Sequence, residues 1–134
     1  MLKRILAVLM GLMLFTSAAF AAEPRDSNYF QSYGATLSKL GSGKVGISMS
    51  CRSVDTASQL GVSSYTVYRW DGSYWELIAG PYSGSYKYNA SSYGINRTFQ
   101  GVAGEKYRVS VTFTCVIDGT SETKIYTSGS IVAN

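Results

Sequence analysis

GEKYRVSVTFTC, residues 104–115, places its bulky apolar residues and a cysteine on one parity: Tyr107, Val109, Val111, Phe113 and Cys115. The positions between them hold Arg108, Ser110, Thr112 and Thr114. Alternation at a period of two is the pattern of a half-buried strand, with one face on a core and one in water. The β-branched and aromatic content suits such a pleated surface. Lys44 to Cys51 has the same design, with Val45, Ile47, Met49 and Cys51 in phase. Each of these strands therefore ends on an inward-facing cysteine.

Working outward, Tyr33 to Leu40 carries Tyr33, Ala35 and Leu37 on one parity and runs into the turn Gly41-Ser42-Gly43. Ser64 to Trp70 and Tyr74 to Ala79 flank Asp71-Gly72, a hairpin signal because both residues tolerate positive φ. Ile95 to Phe99 reads as a short strand, and Asp118-Gly119 turns the long strand into a last one over Lys124 to Val132. Arg52 to Gly61 reads as a polar loop, and the tyrosine-dense Gly80 to Gly94 as a loop or edge strand. No window of helical length shows an apolar i, i+3, i+4 stripe. The expectation is an all-β chain: an immunoglobulin-like Greek-key β-sandwich of about seven to eight antiparallel strands.

The first residues stand apart. Lys3 and Arg4 precede an apolar run, and Ala19-Phe20-Ala21 is a small-x-small cleavage signal. This is the pattern of a secretory signal peptide over 1–21, which is excluded from fold reasoning. The uncharged run 5–22 has 18 residues, at the edge of the ~20 needed to span a bilayer. Cleavage after Ala21 leaves 113 of the 134 residues: a flexible N-terminal segment over 22–32 and a single β-sandwich domain over 33–134. It also removes two cations, so ten basic residues face eight acidic ones and the net charge falls from +4 to +2. No Lys/Arg run follows, so no nucleic-acid footprint is expected. No cysteine follows the cleavage site to take a lipid, so no membrane attachment is expected after cleavage. The expected location is secreted and extracellular.

In Greek-key order the two cysteine strands would be the second and sixth, running the same way in opposite sheets. Cys51 and Cys115 would then meet at one end of the core as a disulfide, worth about 4 kcal/mol on a chain-entropy estimate. The alternative is two buried free thiols acting as small core residues. Packed sheets lie ~10 Å apart, and a disulfide wants Cα atoms ~5.5–6 Å apart, so the bridge requires the sheets to converge there. Tyr107 opens the long strand after a GxxY turn, which resembles the tyrosine corner of immunoglobulin-like sandwiches. In the immunoglobulin pattern that tyrosine precedes the second cysteine by two residues, whereas Tyr107 precedes Cys115 by eight. The spacing looks nearer to fibronectin type III.

Three stretches taken together, SYGATLSKLGSGKVGISMS (32–50), QLGVSSYTVYRWDGSYWELI (59–78) and GVAGEKYRVSVTFTC (101–115), carry a wider resemblance. With the leader, they are similar to small secreted β-sandwich proteins of Gram-positive anaerobes grouped as a domain of unknown function. The resemblance implies a bacterial secreted β-sandwich. It implies no activity, and no functional residue is carried over from it.

The chain contains no histidine, which excludes His-based nucleophilic catalysis. Eight carboxylates remain: Glu23, Asp26, Asp55, Asp71, Glu76, Glu105, Asp118 and Glu122, with nothing in their spacing to suggest a catalytic pair. No DxDxDG run or CxxC occurs, so no metal or cofactor is expected and the chain is read as no enzyme. The aromatic inventory is the functional signal. Trp70, Tyr74 and Trp75 surround Asp71-Gly72, and Tyr82, Tyr86, Tyr88 and Tyr93 fall in one polar stretch. Size favours Trp70 and Trp75 as core residues, while for the tyrosines core and surface are equally open. Asn89 and Asn96 stand in N-x-S/T triplets, glycosylation acceptors in a eukaryotic secretory path and chance matches on the bacterial reading. The expected function is a binding module recognising a protein or cell-surface partner through loops and through Tyr82, Tyr86, Tyr88, Tyr93 and Trp75. Two alternatives are a carbohydrate-binding module using exposed aromatics and a membrane-active toxin-like protein. The low charge and absence of an amphipathic helix disfavour the last.

Overall fold

The computed structural model describes residues 27–134; the signal peptide expected over 1–21 lies outside the described residues. Seven strands are described: β1 (Phe30–Gly41), β2 (Lys44–Trp70), β3 (Trp75–Ser83), β4 (Tyr86–Gln100), β5 (Lys106–Ile117), β6 (Thr120–Thr127) and β7 (Ile131–Val132). Every pairing between them is antiparallel. In β5 the residues from Tyr107 to Cys115 alternate between buried and half-exposed, as the sequence pattern requires. Val45, Ile47, Met49 and Cys51 are likewise buried on β2.

The strands belong to one sheet, and β2 is the reason. The stretch 52–61 expected as a loop is instead strand, so the segments on either side of it form one element of 27 residues. Its exposed positions Arg52, Asp55, Thr56 and Ser58 make the sequence look like a loop, while Ser53 and Ala57 quietly fill the buried positions. The first half of β2 pairs with β1 on one side and with the second half of β4 on the other. Its second half pairs with β5, opposite β3 and the start of β4. Register shifts interrupt its ladders between Arg52 and Ala57 and between Val62 and Ser64, and the inward parity changes at the second of them, from Val62 to Tyr65. Bulges of this kind bend a strand and increase its twist. The sheet accordingly curls into a half-barrel, bringing Phe30 and Tyr33 of β1 onto Phe113 of β5 at ring-centroid distances of 6.5 and 5.9 Å.

The sheet begins at Phe30, inside the stretch 22–32 expected to be flexible. Phe30 is fully buried, and the Ser27 hydroxyl oxygen accepts hydrogen bonds from the N–H groups of Phe30 and Tyr29 while bonding to the Glu122 carboxylate. Two short connections use φ > 0 at both central residues, Ser42 (54°) with Gly43 (80°) and Asp118 (52°) with Gly119 (78°). That is the requirement of the two-residue hairpin turn whose twist matches its strands. Elsewhere two glycines permit a close approach. A Cβ on Gly61 would sit 2.2 Å from the Ser85 carbonyl oxygen, and one on Gly84 would sit 2.1 Å from that of Val62. The β3–β4 junction therefore lies directly against the middle of β2.

At the start of β5, the Tyr107 hydroxyl accepts a hydrogen bond from the Val102 N–H at 2.8 Å, with its ring over Gly101. Phe113 sits at the centre of the curl, so Phe113→Ala is expected to destabilise the fold by about 3–5 kcal/mol. Thr112→Ala on the outer face should cost little. Urea titration of both variants, with similar m-values, is the check.

Candidate functional site

The β2–β3 hairpin concentrates the exposed aromatic and aliphatic side chains. Its tip is organised by Asp71, whose carboxylate accepts hydrogen bonds from the N–H groups of Tyr74 (2.9 Å) and Ser73 (2.8 Å). These bonds, that of Tyr74 first, hold the Asp71 carboxyl below its ordinary pKa. Trp70 and Trp75 face each other across the ladder, with centroids 5.4 Å apart and rings inclined at 57°. Both are half-buried, which corrects the expectation that they fill the core. The reason is register. Val67, two strand positions before Arg69, points into the core, so Trp70 falls on the outward parity and Trp75 follows it as cross-strand partner.

Arg108 reaches the same outer face from β5, with its guanidinium carbon 4.3 Å from the centroid of a Trp75 ring. Its Nε is buried without a hydrogen-bond partner, so stacking on the indole is the contact that holds it. On the opposite face of the same hairpin, Arg69 and Glu76 form an ion pair at 2.8 Å. Both side chains are substantially exposed, so the bridge fixes register more than it adds stability.

Beyond the tip, Tyr74 (59% exposed), Leu77 (53%), Ile78 (38%) and Tyr82 (44%) project into solvent. β3 pairs with β2 alone among the described strands, so its outer edge is open. Gly80, at φ 97°, and Pro81 interrupt the far end of that edge. Of the residues singled out from sequence, Trp75 and Tyr82 belong to this surface. Tyr82 also leans on the buried Tyr65 with a centroid distance of 5.2 Å. Tyr86 is half-buried opposite Gly61, and Tyr88 is the most exposed of the tyrosine stretch. Tyr93 is buried, its hydroxyl 2.6 Å from that of Ser85, so it supports the fold and is not a surface contact. Leu77, Ile78 and Arg108 escaped notice in the sequence. Leu77 and Ile78 read there as an ordinary strand interior, and Arg108 as one outward residue of a long alternation.

Cys51 and Cys115 are both buried and are free thiols, so the expected disulfide is not formed in this structure. They belong to different strands of the sheet, Cys51 opposite Tyr33 and Tyr93 and Cys115 opposite Leu60 and Glu122. Burial, followed by the neighbouring Cys115, pushes the Cys51 thiol up to about 12. Burial also raises Cys115, with a smaller contribution from Glu122. Such thiols are poor nucleophiles at neutral pH. Among the described residues, no group of three or more His, Cys, Asp or Glu side chains could hold a metal ion.

Neither a protein-family model nor a curated protein matches the chain. A crystal structure of a protein from Archaeoglobus fulgidus matches with 13% identity and a TM-score of 0.39, covering 78% of this chain and 98% of that one. A likeness at that level supports no argument about fold or function.

The thiols generate a pH dependence. The unfolded chain releases the Cys51 proton near the ordinary value of 9.0, whereas the folded chain holds it to about 12. Stability from this group is therefore complete below about pH 9 and declines as pH rises through that window. Stability of wild type should fall more steeply than that of Cys51→Ala between about pH 8 and 11. In the same preparation, alkylation without reductant should be slow on native protein and reach both cysteines after unfolding. A mass showing no alkylation of the unfolded chain would establish a disulfide instead.

Proposed function

We propose that the chain is a secreted, non-catalytic interaction module that takes an extended segment of a protein partner along the free edge of β3. The observation behind this reading is that Tyr74, Leu77, Ile78 and Tyr82 are all exposed on one hairpin whose edge is unpaired. An open, apolar edge strand presents unpaired N–H and C=O groups and is ordinarily blunted by charge. Added-strand recognition uses these groups for main-chain bonds and neighbouring side chains for specificity. Here Trp70, Trp75 and Arg108 supply a rigid aromatic flank with a cation, the residue types favoured at interface hot spots. The leader over 1–21 supports the secreted part of the reading, as does the resemblance to secreted proteins of Gram-positive anaerobes. The absence of histidine from the sequence supports the non-catalytic part. An immunoglobulin-like Greek-key arrangement is not needed, because the docking edge belongs to a single hairpin.

Panning a displayed random-peptide library against the folded protein tests this. Recovered peptides should alternate apolar residues at period two and should slow hydrogen exchange in β3. Leu77→Lys and Trp75→Ala should each weaken the best peptide by about tenfold or more. Peptides indifferent to both substitutions, or protection confined to other strands, would dispose of the edge as the binding site.

A further inference from the structure

We propose a second site, separate from the hairpin, on the outer face of β1, β2 and β4: a site for an acidic saccharide, held by its anionic group. Two rungs define it, separated by the Tyr33, Cys51 and Tyr93 rung. Ser32, Arg52 and Ser92 stand side by side across the three strands, and Gly34, Ser50 and Gly94 do so two positions along. Lys87, from the other half of β4, joins Ser32, Ser50, Arg52, Ser92 and Gly94 around a shallow concavity of ≈ 380 Å³. A second concavity of ≈ 290 Å³ shares Ser32 and Ser50 and runs past Gly34 to the Tyr126 ring. A Cβ on Gly34 would lie 3.8 Å from that ring, so the phenol stands immediately beside the bare backbone.

The charge at this site is uncompensated. No carboxylate lines either concavity, and neither Arg52 nor Lys87 has an ion-pair or hydrogen-bond partner among the described residues. A guanidinium presents a planar fork that matches a carboxylate or sulfate with two hydrogen bonds, and an ammonium adds a mobile point charge. Ser32, Ser50 and Ser92 add hydroxyls that both donate and accept, as the hydroxyls of a sugar do. The missing side chains at Gly34 and Gly94 leave room for a flat ring. Tyr126 offers an apolar body with a polar tip at the far end. The anion anchors on Arg52 and Lys87, and the ring extends over Ser50 and Gly34 towards Tyr126.

The test is amide chemical-shift titration of the full chain with glucuronic acid, N-acetylglucosamine, sodium sulfate and inorganic phosphate. Glucuronic acid should give saturable shifts clustered at Ser32, Ser50, Arg52, Lys87, Ser92 and Gly94. The open site predicts weak binding, with a Kd on the order of 1 mM that rises with added salt. Arg52→Gln with Lys87→Gln should weaken it about tenfold or more, with the rest of the spectrum unchanged. Equal binding of N-acetylglucosamine would overturn the role of charge. Equal binding of sulfate or phosphate would reduce the site to one for a bare oxyanion and overturn the saccharide. Wild-type affinity in the double variant would overturn the site itself. None of these outcomes bears on β3, which contributes no residue to this face.

Discussion

The ladder along β2 is the constraint from which the rest of the structure follows. Apart from β6 and β7, which pair with β5, every other described strand pairs with this one element. A flat strand of 27 residues would have no single core to face. The register shifts after Arg52 and after Val62 allow it to turn, and its inward parity changes after Ala57 and after Val62, so both halves bury their apolar side chains in one cluster. That cluster includes Val45, Ile47 and Met49 from one half and Leu60, Val62 and Val67 from the other, closed by the alternating face of β5. The glycines at 61 and 84 are part of the same constraint, because β3 and β4 share one flank of β2 and their junction must lie against it.

Much of this was legible in the sequence where alternation is strict. The buried face of β5 and the first half of β2 follow directly from their residue parity. The middle of β2 did not, for a physical reason. A strand that crosses a bend presents more of its length to water, and its inward positions there are small, Ser53 and Ala57. Polar, small-residue sequence of that kind is indistinguishable by composition from a loop. The change of inward parity between Ala57 and Leu60 then removed the periodic signal itself. Trp70 and Trp75 failed in a different way: bulk argued for the core, and only the count from Val67 shows that they point outward.

The surface was legible in part. Clustering of aromatics near Asp71-Gly72 was visible, but which tyrosines would be exposed depended on pairing. Tyr93 lies opposite Cys51 and is drawn inward, while Tyr88 lies opposite Gln59 and stays in water. The cationic face was not legible at all. Arg52 and Lys87 are separated by 34 intervening residues and carry no motif, and their proximity arises because both halves of β4 return along β2.

The same architecture has a consequence for how the chain reaches its final form. The β1–β2 and β5–β6 hairpins close through two-residue turns and need only local encounters, on the order of microseconds for such hairpins. β2 must also meet β5, joining residues such as Val67 and Val109 across a long intervening chain. Closing that distance costs entropy before any core contact is made, which makes strand-rich folds of high contact order slow. Until it closes, the β5 flank of the second half of β2 stands open, along Val62, Tyr65 and Val67. A sequence so rich in serine, threonine and glycine between its apolar positions has an advantage here. The waiting strand stays soluble, because each residue that will face the core alternates with one that prefers water.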